Sequence, residues 1–156
     1  MALALLFVSS CSSPPPTEES KTYPAGEQVT LWPLTYNVVD SRILPRLGDD
    51  PATARFPQER FYLVQITVSN SGATDDSIPA FALVDDSGKV YNELTDGSGV
   101  PDWLGLVRSV KAHDQAKGAI LFDAPAKHYR LRLSEQFATP EISIDLPLNF
   151  THESPQ

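Results

Sequence analysis

A single cysteine and three histidines (His113, His128 and His152) are all that the 156 residues offer to a soft metal. One thiol excludes an intrachain disulfide and any multi-thiolate zinc or iron–sulfur site. Basic residues are also scarce: 12 Lys and Arg stand against 20 Asp and Glu, a formal charge of −8. A phosphate backbone needs clustered cations to displace its counterions, so no nucleic-acid partner is expected. Anionic lipid heads are disfavoured as surface partners for the same reason. The apolar run that opens the chain, Met1 to Val8, falls well short of the roughly 20 residues that span a bilayer. Long amphipathic helical patterns are nearly missing as well, which argues against an α/β fold.

What is present at the start is a pattern. The run Met1 to Val8 has the length of the apolar part of an export signal, although no Lys or Arg precedes it. Val8-Ser9-Ser10-Cys11 looks like a bacterial lipobox, an aliphatic residue and two small ones before a cysteine. That resemblance implies a signal peptide over 1–10 and a lipid-bearing Cys11 at the mature N-terminus. It places the chain in the bacterial cell envelope, with the domain extracytoplasmic and its first partner the membrane lipid reached through acylated Cys11. Two or more acyl chains hold a protein to a membrane where one is marginal.

Residues 11–23 read as a tether, with Pro14-Pro15-Pro16 and Glu18-Glu19 and little apolar content to support order. Without residues 1–20 the charge is still −6, so the acidity belongs to the domain over 24–148. Residues 149–156 form a C-terminal tail.

The domain reads as strands. Phe61 to Asn70 is the strongest: Tyr62, Val64, Ile66 and Val68 share one face, and Phe61 and Leu63 make its start apolar on both. Leu34, Tyr36 and Val38 share a face of an earlier strand that Ile43 and Leu44 extend. Pro45 to Gln58 reads as a long exposed loop. Phe81-Ala82-Leu83-Val84 leads through Asp85-Asp86-Ser87-Gly88 into Lys89-Val90-Tyr91, a hairpin in which Gly88 supplies positive φ and Asp85 caps the turn. Pro101 to Val110 suggests one or two helical turns, or a short cap on a sheet edge. Ala119 to Asp123, Tyr129 to Leu133 (with Arg130 and Arg132 outward) and Glu141 to Leu146 complete the set. The expectation is an all-β sandwich of about seven to eight mostly antiparallel strands.

Catalytic signals are missing. No G-x-S-x-G is present, and Gly97-Ser98-Gly99 lacks the spacing of a nucleophile elbow, so no enzyme, catalytic residue or cofactor is expected. Convergence of His113 or His128 with a carboxylate and a serine would reopen that question. The acidic doublets Asp49-Asp50, Asp75-Asp76 and Asp85-Asp86 lack an EF-hand pattern, though the first two meeting at one end of the sandwich would offer oxygens to calcium. Aromatics in or beside turns, Phe56, Trp32, Trp103 and Phe81, are candidates for a recognition surface. Phe56, Trp32 and Trp103 are the residues expected to form it.

Three segments carry a resemblance to a known family, DUF4352. Phe61 to Asn70 resembles its F-x-V-V-x-V-x-V-x-N strand, Phe81 to Tyr91 its F-x-L-V-D-x-x-G-x-x-Y hairpin, and Gly118 to Pro125 its G-x-L-V-F-D-V-P segment. The resemblance implies an immunoglobulin-like, MPT63-like sandwich of exported bacterial proteins, with no catalytic residue or cofactor to carry over. The expected role is that of an envelope lipoprotein presenting a structural or protein-interaction domain to another envelope protein. The alternative is an extracytoplasmic small-ligand or calcium-binding module.

Overall fold

The computed structural model describes residues 19–134, 140–147 and 150–151. Cys11, the expected signal peptide and most of the tether lie outside the described residues, as does most of the C-terminal tail.

In chain order the strands are β1 (Lys21–Tyr23), β2 (Val29–Leu31), β3 (Leu34–Leu44), β4 (Phe61–Asn70), β5 (Asp76–Ser77), β6 (Ala82–Asp85), β7 (Val90–Asn92), β8 (Ser109–Val110), β9 (Gln115–Asp123), β10 (Tyr129–Arg132), β11 (Ile142–Leu146) and β12 (Phe150–Thr151). One sheet runs β1-β11-β10-β6-β7. The other runs β12-β3-β4-β9, with β2 also paired to β3. A small ribbon joins β5 to β8. Pairing is antiparallel except for β1 with β11. The fold is all-β and sandwich-like, as expected. Its strands outnumber the seven or eight anticipated because β1, β5, β8 and β12 are pieces of two or three residues, too short to leave an alternating pattern. Strand β1 lies in the segment read as tether and β12 in the one read as tail.

The main core lies between the sheets. Val64, Ile66 and Val68 of β4, Ile120 and Phe122 of β9, Leu131 of β10 and Ile144 of β11 are all buried in it. Keeping charge off that face along β3 requires an irregularity. The β3–β4 register shifts between Val38 and Asp40, a bulge at Val39. Straight alternation from Val38 would turn Asp40 and Arg42 inward. The extra residue instead sets Ser41 and Ile43 opposite Val64 and Tyr62, and leaves Asp40 to pair with Arg42 at 2.7 Å.

A second, smaller core covers the opposite face of the same sheet. Phe61, Leu63, Ala119 and Leu121 project there and are buried by Leu47 and Val100, with Trp103 packed alongside. This explains why β4 begins apolar on both faces. The Pro45–Gln58 segment is therefore not wholly an exposed loop: it folds back to place Leu47, 5% exposed, on that face. The span 101–110 contains no helical turn, and its first part instead caps a sheet edge. The Ala119 amide donates to Asp102 O and the Leu104 amide to Ala119 O, at 2.8 and 3.0 Å. Gly118 permits this approach, because a Cβ there would collide with Asp102 O and Leu104. Arg132, expected outward, lies on the outer face but is only 9% exposed.

Candidate functional site

The sequence-derived recognition residues do not form one patch. Trp32 sits at the tip of the β2–β3 hairpin, beside the Leu34 end of β3, and is 76% exposed. Phe56 lies in the loop that leaves β3 at Leu44 and is 64% exposed. These are opposite ends of the sandwich. Trp103 belongs to neither end; it is half-buried against the second core, over Gly97. Phe81 is a core residue, 1% exposed.

Phe56 is presented by a braced loop. Leu47 and Arg55 exchange two backbone hydrogen bonds of 2.9 Å, closing the 47–55 segment on itself. Within it the Asp50 carboxylate accepts the Ala52 amide at 2.9 Å. Arg55 Nη1 donates to Asp96 O at 2.7 Å, tying the loop to its neighbour, and its guanidinium lies over the Phe61 ring. On the other side of Phe56, the Asp123 carboxylate accepts the Gln58 and Glu59 amides at 2.6 and 2.9 Å. The backbone on both flanks is thus fixed while the ring faces water. A preorganised exposed aromatic loses little entropy on docking.

The same end carries a charged cluster. Asp85 receives the Ser87 and Lys89 amides at 2.9 and 3.0 Å and the Ser87 hydroxyl at 2.6 Å, which makes it the expected hairpin cap. Lys127 reaches its second oxygen at 3.3 Å. The Ser87 hydroxyl above all, with those amides and the ammonium, holds the Asp85 carboxyl down at about 2 against the opposing effect of burial. Gly88 takes the anticipated positive φ, 83°. His128 bridges two elements, Nδ1 to Asp86 at 3.1 Å and Nε2 to Asp145 at 2.6 Å. Hydrogen bonding to Asp86 is the main cause that raises its pKa, partial burial opposes it, and Asp145 adds to the rise.

His128, Ser87 and the carboxylates of Asp85 and Asp86 line one cleft of about 410 Å³. These are the residue types that would reopen a hydrolase reading, so their connections decide. Ser87 Oγ donates to Asp85, and both His128 nitrogens face carboxylates. Among the described residues no imidazole nitrogen is placed to take the Ser87 proton, so the relay of a nucleophilic triad is not assembled in this cleft. His113 lies far off, beside Asn70 at the Leu34 end.

Asp49-Asp50 and Asp75-Asp76 do not converge. Asp49-Asp50 follow the Leu44 end of β3, whereas Asp75-Asp76 follow the Asn70 end of β4, and the β3–β4 register sets these at opposite ends. Asp75 Oδ1 accepts the Ala112 amide at 3.0 Å, and Asp76 Oδ1 the Ser77 amide at 2.8 Å. Among the described residues no group of three or more His, Cys, Asp or Glu is arranged to hold a metal ion.

One constellation left no mark in the sequence. Arg108 and Glu93, fifteen residues apart, form a buried ion pair. Arg108 also donates to Gly105 O and Pro79 O, at 2.7 and 2.8 Å, and its guanidinium lies over Phe81. Glu93 also accepts the Phe81 amide. Neither residue has a charged neighbour in sequence, so only the folded chain brings them together.

The chain matches the model of one family, Domain of unknown function (DUF4352), over residues 23–142. Among solved structures it is similar to the yjhA protein from Bacillus subtilis, at 13% identity over 80% of this chain and 99% of that one, with a TM-score of 0.60. It is also similar to MPT63, a secreted protein from Mycobacterium tuberculosis, at 16% identity over 81% and 98% of the two chains, TM-score 0.57. A third likeness is to a candidate lipoprotein, ycdA, from Bacillus subtilis subsp. subtilis str. 168, at 16% identity over 76% of this chain and 38% of that one, TM-score 0.55. At these identities the likeness establishes the fold. No curated protein matches the chain.

Proposed function

We infer the function from one premise: the chain belongs to the DUF4352 family. Its sandwich is read as an immunoglobulin-like module of the bacterial envelope, held to the membrane by lipid on Cys11, that binds another envelope protein. The secreted nature of MPT63 and the description of ycdA support an extracytoplasmic setting. The lipobox-like Val8-Ser9-Ser10-Cys11 supports the anchor.

The observation that carries the binding role is Phe56, exposed on a loop whose flanking backbone is fixed from both sides. It stands at the end of the sandwich opposite the one where β1 enters. An anchored module would therefore turn this ring away from its own membrane and towards a partner. The separation of Asp49-Asp50 from Asp75-Asp76 weighs against the calcium alternative.

A photo-crosslinking phenylalanine analogue at position 56, introduced in cells, tests the reading. A reproducible protein adduct is expected there and none at exposed Thr53 in the same loop. Failure to recover any protein from position 56 would overturn the binding role.

A further inference from the structure

We propose that Trp32 is a membrane-contacting residue, which seats the entry end of the domain in the interfacial layer of the bilayer that holds Cys11. The proposal rests on the lipid anchor read above, and on three observations of its own.

The first is position. Lys21 pairs with Ile142 at the start of β1, where the Lys21 amide donates to Glu141 O and the Glu141 amide to Ser20 Oγ, at 2.9 and 3.2 Å. Strand β9 runs from Gln115 to Asp123, and the chain returns through Tyr129, so Tyr129 and its partners Asp85 and Leu146 lie at the Asp123 end. Ile142 and Lys21 therefore lie at the opposite end, with Leu34 and the Trp32 hairpin.

The second is reach. Nine residue steps separate Cys11 from Ser20. Even fully drawn out they span only roughly 30 Å at about 3.3–3.6 Å per residue. The ten steps from Leu34 to Leu44 in β3 extend about 33 Å at about 3.3 Å each. A leash of that length, attached at the entry end, holds Trp32 within reach of the bilayer and so raises the effective concentration of the indole at the surface.

The third is the chemistry of the tip. Trp32 is the more exposed of the two tryptophans and is held out by a braced hairpin. The Ser71 amide donates to Pro33 O at 3.0 Å, and the Thr30 and Thr35 hydroxyls pair at 2.9 Å. An indole has an apolar body and one polar N–H, the combination enriched where acyl chains meet headgroups. Because the domain is acidic, a lipid contact here must be made by an uncharged side chain and must not weaken as salt is raised.

The test uses the full chain purified from membranes and returned to phosphatidylethanolamine–phosphatidylglycerol vesicles, with and without bromine on the acyl chains near the interface. Bromolipid should quench part of the tryptophan emission, high salt should not reduce that part, and Trp32→Ser should lose it while folding normally. Trp103 serves as the internal reference. Quenching that survives Trp32→Ser, or none in a chain whose Cys11 is acylated, overturns the contact while leaving the anchor intact. Intact mass of the same sample separates the cases: an unmodified Cys11 removes both readings. A photo-crosslinker at position 32 that captures protein in place of lipid also overturns the contact.

Discussion

Arg108 and Glu93 meet in two hydrogen bonds, Nη1 to Oε2 at 2.9 Å and Nη2 to Oε1 at 2.6 Å, with side chains only 4% and 2% exposed. The pair closes the excursion between β7 and β8 and ties it, through Pro79 O and the Phe81 amide, to the segment that leads into β6. Each charge is tolerable out of water only because the other is present.

Removing one partner should therefore cost far more than a surface ion pair. Arg108→Met leaves Glu93 buried without its cation, and urea unfolding should give a loss of about 3–5 kcal/mol. The double variant Arg108→Met with Glu93→Leu should recover part of that loss. A change of under about 1 kcal/mol for the single variant would mean that the pair is hydrated in solution.

Gly97 lies directly beneath Trp103, and a Cβ there would overlap the indole. Gly97→Ala should displace the ring from the second core and cost about 1–3 kcal/mol. Tryptophan emission should shift to the red and near-ultraviolet dichroism should weaken. An unchanged spectrum would place Trp103 elsewhere.

His128 links stability to pH. Both ring nitrogens face carboxylates, and only the protonated ring can donate to both at once. Its native pKa is raised above the ordinary 6.5. The stabilisation is therefore full below about 6.5 and is lost as pH rises through the higher native value. Asp85 works in the opposite sense: its contribution is present above the ordinary 3.8 and is lost as pH falls through about 2. The thermal midpoint of wild type should decline shallowly from mildly acidic to mildly alkaline pH. His128→Gln should flatten that decline, and Asp85→Asn should soften the acid limb. An unaltered alkaline slope in His128→Gln would mean that the bridge from His128 to Asp86 and Asp145 does not stabilise the fold.

The fold was readable where one physical pattern dominated. Alternation in Phe61–Asn70 located β4, and the doubled apolar start at Phe61 and Leu63 signalled the covered outer face that the structure supplies. The Asp85–Gly88 turn was legible because its chemistry is local. What escaped was non-local. A bulge at Val39 changes which β3 residues face inward, yet Val39 is an ordinary strand former. The burial of Trp103 depends on Gly97 and on backbone pairing with Ala119, and the Glu93–Arg108 pair forms only once the chain between them folds. Exposure of Trp32 and Phe56 followed from their turns, while their placement at opposite ends required the register.

The proposal on which the rest depends is that lipid on Cys11 positions this sandwich at a membrane. Intact-mass analysis of the native protein, recovered from the cells that make it, tests that claim directly. The account predicts a chain that begins at Cys11 and carries a thioether-linked diacylglycerol. An unmodified chain that retains Met1 to Ser10 would contradict it.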